Sequence, residues 1–179
     1  MAQLADSGNA ECAAALRSAL ADSSYAVVAQ ALRSLAETDK QGSLPILRAH
    51  LSVPSYREGI ASAALSAMAN VDSMAGIAEA RVRIRYGNPP SIRFTALGIL
   101  RRFVAHGTVP ATLFEELLED AQVPIRNSAI RILGEHGDGH LLPRLEAIAA
   151  DPKNPSAAAA KRSVERLTKR MESPSGTPQ

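Results

Sequence analysis

Two histidines four residues apart, His136 and His140, stand with Glu135 and Asp138 in the run GEHGDGH. Imidazole and carboxylate are both ligands that zinc takes. The same run holds three glycines and so has the composition of a turn, in which the two rings need not share a face. A resident metal wants a third convergent ligand, and no cysteine is near, so the run is read as a turn, with His136 and His140 as the alternative ligand pair. The second concentration is basic. Arg81, Arg83, Arg85, Arg93, Arg101 and Arg102 fall within 22 residues that contain no acid. Guanidinium groups bind carboxylate and phosphate in bidentate fashion, and Arg81 and Arg85, one helical turn apart, are the candidate binding pair. The third is acidic: Glu115, Glu116, Glu119 and Asp120. Their helical spacing fans them around a surface with no nucleophile or oxyanion donor nearby, which favours salt bridges to the basic stretch, or plain solubility, over acid/base work. Cys12 sits among alanines and reads as a small packed residue. His50 and His106 are isolated. No set of residues makes a catalytic constellation, and no cofactor is expected.

These residues need a scaffold, and the chain repeats one. In the stretch Pro124 to Asp138, Ile125, Ala129, Ile132 and Leu133 lie on one face of a helix that Pro124 opens and that Gly134 and Gly137 release into a polar turn. The same pattern, a β-branched residue four before an alanine and an apolar one four after it, recurs as Val27/Ala31/Leu35, Ile60/Ala64/Met68 and Ile92/Ala96/Leu100. The central alanines Ala31, Ala64, Ala96 and Ala129 are spaced 33, 32 and 33 residues apart. A fixed period of this size with two helices per unit marks an α-solenoid. Small alanines suit places where helix backbones approach closely.

The expected fold is therefore all-α, a right-handed solenoid of about five hairpins and about ten helices over residues 9–171, after a frayed start at 1–8 and before a disordered, Pro/Ser/Gly-rich tail at 172–179. The boundaries expected for the helices are 9–21, 25–36, 43–51, 57–69, 73–86, 90–105, 110–118, 124–133, 140–150 and 154–171. Asn88-Pro89 is read as N-cap and N1 of the helix that follows. Tyr25, Met68 and Phe103 are expected in the core. Aromatics make up only 3% and there is no Trp, which favours close-packed helices over a sheet sandwich. A formal net charge of +2 is too small to imply a polyanion partner. No run of about 18 apolar residues offers a membrane span. The N-terminus lacks the basic start and apolar core of a signal peptide, so a soluble chain is expected, with no compartment assigned.

The unit LLEDAQVPIRNSAIRILGEHGD closely resembles the HEAT repeat, in its aspartate before the first helix (Asp120), its Val/Ile-Arg pair (Ile125-Arg126) and its Gly-x-x-Gly-Asp turn (Gly134, Gly137, Asp138). Ile92-Arg93 repeats the pair, whereas Val28 and Ala61 replace the arginine in the first two units. The resemblance implies repeat-stacking roles for Arg93, Arg126 and Asp120, and a concave side lined by second helices, where Arg81 and Arg85 would project. More narrowly, the run Ala19 to Glu37 followed by LPILRAHL is similar to the C-terminal HEAT-like domain of bacterial M1-family zinc aminopeptidases. That family's HExxH and GxMEN-like motifs are absent from these 179 residues, so the resemblance implies a non-catalytic accessory domain that packs on and shapes access to a catalytic domain. A stand-alone scaffold that recruits a protein or peptide is the second reading. A nucleic-acid-binding HEAT-like module, as in some DNA glycosylases, is the third; it lacks aromatics placed to stack bases beyond Tyr86 and Phe94.

Overall fold

Alanine-rich, β-branched stripes at helical spacing dictate helices, and helices are what form. The computed structural model describes the backbone of residues 2–172 and the side chains of residues 10–172. Among the described residues there are nine α-helices: α1 (Ala2–Ala19), α2 (Tyr25–Thr38), α3 (Lys40–His50), α4 (Gly59–Val71), α5 (Ser73–Arg83), α6 (Pro90–Ala105), α7 (Val123–His136), α8 (Leu142–Ala150) and α9 (Ala157–Glu172). A nine-residue 3-10 helix, Ala111–Glu119, takes the place of the helix expected at 110–118, and two short 3-10 turns precede α4 and α8. No strand occurs among the described residues. The tail expected to be disordered lies outside the described residues from 173 on.

The chain divides into two compact units, residues 1–100 and 101–179. In the first, α2 packs on α1, α3 and α4, while α4 also packs on α3 and α5. In the second, α7 packs on the 3-10 helix and on α9, which α8 also covers. In both units, then, first helices of successive expected hairpins lie side by side. The triads behave accordingly. Ala31, Leu35, Ile60, Ala64, Met68, Ile92, Ala96, Leu100, Ile125, Ala129 and Leu133 are all buried. Val27 is the exception at 40% exposed; the adjacent Val28 occupies the inward slot instead.

Several boundaries move, each for a local reason. Helix α1 begins at Ala2 rather than at Asn9. Helix α3 starts at Lys40 because Asp39, not Ser43, caps it by accepting from the Gly42 amide, which leaves Pro45 inside the helix. Helix α4 is entered through Arg57 and Glu58, both in left-handed conformation with φ of 52° and 54°, while the Ser55 hydroxyl accepts from the Ile60 amide. Helix α5 stops at Arg83, not Tyr86. Asn88 does not cap α6: its side-chain amide donates to the carbonyls of Val82 and Arg85, closing the end of α5, and Pro89 is the residue whose carbonyl starts α6. Of the residues expected in the core, Met68 is fully buried, Phe103 half-buried and Tyr25 half-exposed. Cys12 is exposed and the neighbouring Ala13 takes the inward place.

Gly134 also has a different job from the one its type suggests. It lies buried within α7, which continues to His136, and does not open the turn. A Cβ built on it would sit 2.5 Å from Ser163 Cβ and 2.8 Å from Ser163 Cα on α9. Gly76 on α5 is held as tightly, with its Cβ position 2.4 Å from Ala69 Cα on α4. Gly98, inside α6, meets nothing within 4 Å. Alanine gains about 1 kcal/mol of helix propensity over glycine, but overpacking costs about 1–3 kcal/mol. Gly98→Ala is therefore expected to raise the urea midpoint, and Gly134→Ala and Gly76→Ala to lower it, in denaturation followed by circular dichroism. A stabilised Gly134→Ala would show that the contact between α7 and α9 is loose.

Candidate functional site

The arginines read as stacking residues close helix ends. Arg93 is 2% exposed, and its Nε donates to the carbonyl of Ile84, the C-cap residue of α5, at 2.9 Å. Its guanidinium lies 5.9 Å from the centre of the Tyr86 ring. Arg126, 33 positions later, repeats the arrangement: Nη1 donates to the carbonyl of Asp120, which ends the 3-10 helix, at 2.7 Å, and Nε to Ser156 Oγ, ahead of α9, at 2.8 Å. Asp120 is buried and accepts from the Gln122 amide at 2.9 Å, shaping the entry to α7. Arg170 on α9 does the same for the end of α7, donating to the carbonyls of Gly134, Glu135 and Gly137. Each guanidinium thus satisfies carbonyls that a helix leaves without partners, at the end where the dipole favours a cation.

Arg81 and Arg85 are both exposed, but only Arg81 belongs to α5. Arg81 is in the last turn of α5, whereas Arg85 lies beyond it in the turn that Asn88 closes. What α5 does present outward is a stripe of Met74, Ala78, Arg81 and Val82, with Met74 65% and Val82 56% exposed, followed by Tyr86 at 79%. Periodicity held this signal, since residues 74, 78 and 82 are four apart and out of phase with the buried Gly76, Ile77 and Ala80.

The acidic cluster finds partners close by. Glu115 Oε1 meets His140 Nε2 at 3.2 Å, and Glu119 Oε1 accepts from Arg144 at 3.1 Å. The other ring nitrogen of His140, Nδ1, bonds to Asp138. Both nitrogens of His140 therefore face carboxylates instead of converging with His136, which lies exposed at the end of α7. Among the described residues, no three His, Cys, Asp or Glu side chains are grouped to hold a metal ion.

A polar cleft between α7 and α9 was not foreseen. It encloses about 290 Å³ and is lined by Asn127, Ser128 and Arg131 from α7 and Arg162, Ser163 and Arg166 from α9. A signal for it existed: Arg131 and Arg162 each stand two residues after a buried alanine, Ala129 and Ala160, and so occupy matching slots on neighbouring helices.

Two outcomes follow from these contacts. Arg126→Ala removes two hydrogen bonds from a charged donor and should cost about 2 kcal/mol by urea denaturation. Arg126→Lys should recover under half of that, because one ammonium cannot span both acceptors. His140 titrates above its ordinary value, first because Asp138 bonds to its imidazolium and then because Glu115 does; the same bond lowers the Asp138 carboxyl. The stabilisation from His140 is thus complete below pH 6.5 and lost as pH rises through its raised folded value, while that from Asp138 is complete above 3.8 and lost as pH falls through its lowered one. NMR titration of His140 should give a midpoint above 6.5 that falls in Asp138→Asn; a midpoint at 6.5 would mean that the carboxylates do not hold the ring. No protein-family model, curated protein or solved structure matches this chain.

Proposed function

We propose that this chain is a non-catalytic HEAT-like interaction domain, a right-handed α-solenoid that binds a protein or peptide. The observation that carries the reading is the outward stripe of α5. Met74 and Val82 lie exposed on a second helix, with Arg81 between them and Tyr86 just beyond. In a HEAT-like array, second helices line the concave side, and methionine, tyrosine and arginine are residue types enriched where proteins meet. In the narrower form of the proposal the partner is the catalytic domain of an M1-like metallo-aminopeptidase in the same parent chain, whose access this domain shapes. That form rests on the resemblance of Ala19 to Glu37 and the segment after it.

The test mixes this chain with the catalytic domain encoded in its reading frame and follows aminoacyl-arylamide turnover and co-elution. Addition should change turnover or solubility, and a frame encoding no HExxH domain would remove the narrower form. Met74→Asp with Val82→Asp should weaken partner binding at least tenfold at unchanged thermal midpoint, and Arg81→Ala should weaken it less. Undiminished binding by the double variant would overturn the assignment of this face. Zinc-dependent turnover by the chain alone would overturn the non-catalytic reading.

A further inference from the structure

We infer that the cleft between α7 and α9 binds a phosphomonoester that carries a hydrogen-bond donor beside its phosphate. Three guanidinium groups border it, those of Arg131, Arg162 and Arg166. Arg166 donates to Glu135 at 3.2 Å, and Glu135 also receives Arg101 at 3.4 Å, so that carboxylate is already shared. Neither Arg131 nor Arg162 is paired with a carboxylate among the described residues. Two positive charges on facing helices therefore stand uncompensated over one cavity. A carboxylate would neutralise one of them; a phosphomonoester, with a charge of about −1.5 to −2 at pH 7, matches both, and its three oxygens suit planar, bidentate donors. The volume of about 290 Å³ leaves room for the group that bears the ester.

The wall between the arginines sets the second requirement. Asn127 Oδ1 is buried and accepts no hydrogen bond, a costly state for a polar atom. As an acceptor it repels phosphate oxygen, so what it takes is an N–H or O–H on the ligand. The Ser128 hydroxyl does not compete, since it already donates to the Pro124 carbonyl at 2.9 Å. Gly134 and Ser163 bring α7 and α9 into close contact beside the cleft. A phosphorylated residue, with its backbone amide, and a small hydroxylated phosphate ester share this chemistry. The site involves none of the residues on the outward face of α5, so neither proposal falls with the other.

The full chain, labelled with 15N, is titrated at constant ionic strength with N-acetyl-O-phosphoserine methylamide, with glycerol 2-phosphate and with sulfate, a dianion that has no donor. Saturable shifts should appear in α7 and α9, and at least one phosphomonoester should bind ten or more times as tightly as sulfate. The tighter of the two esters identifies the source, peptide or small metabolite. Arg131→Gln with Arg162→Gln, both exposed and expected to fold, should weaken ester binding at least tenfold, and Asn127→Ala should erase the preference over sulfate. Absent shifts, equal affinity for sulfate, or an undiminished double variant would each overturn the proposal. If Asn127→Ala proves unfolded, the ester-to-sulfate ratio of the native chain decides.

Discussion

Close approach of helix backbones is the constraint on which the rest depends. Ala64, Ala96, Ala129 and Ala160 are fully buried, and at Gly76 and Gly134 even a methyl group would strike the facing helix. Beside these contacts the larger neighbours Leu35, Met68, Leu100 and Leu133 are fully buried and fill the layers above and below. The low aromatic content follows from the same cause: a seam this narrow has little room for rings.

Packing helices so tightly brings their ends into the interior, where unpaired carbonyls are costly. Side chains from the next element answer that need, as Arg93 does for α5, Arg126 for the 3-10 helix and Arg170 for α7. Arginine suits the place because its fork reaches several oxygens at once and its charge opposes the negative end of the helix dipole. Three of the sixteen arginines are in this way structural. Other groups serve as well: Asn88 closes α5 beside Arg93, and His50 Nδ1 lies 2.8 Å from the Ile46 carbonyl at the end of α3.

Charge that remains is organised locally, which a net charge of +2 conceals. Glu115 and Glu119 are taken up by His140 and Arg144, and Glu135 by Arg101 and Arg166, while Arg131 and Arg162 are left facing one cavity. Density of arginine along the chain was a poor guide to this. The six arginines between residues 81 and 102 include a buried helix closer, and Arg83 pairs with Glu79 one turn earlier.

By itself the sequence determined that the chain is helical, which faces are buried and at what period, since a stripe at helical spacing can be satisfied only by an amphipathic helix and eleven of the twelve triad residues lie inside. Resemblance to a known repeat drew attention to Arg93, Arg126 and Asp120, whose side chains the structure places at helix ends. Only the tertiary structure decided what those residues hold, that Gly134 serves a helix contact instead of a turn, that α5 ends before Arg85, and that Arg131, Arg162 and Arg166 share a cleft. Period and polarity are properties of one helix read along its own axis. Caps, close approaches and clefts depend on how far apart two helices lie and how they are turned toward each other, and those quantities come into being only when the helices pack.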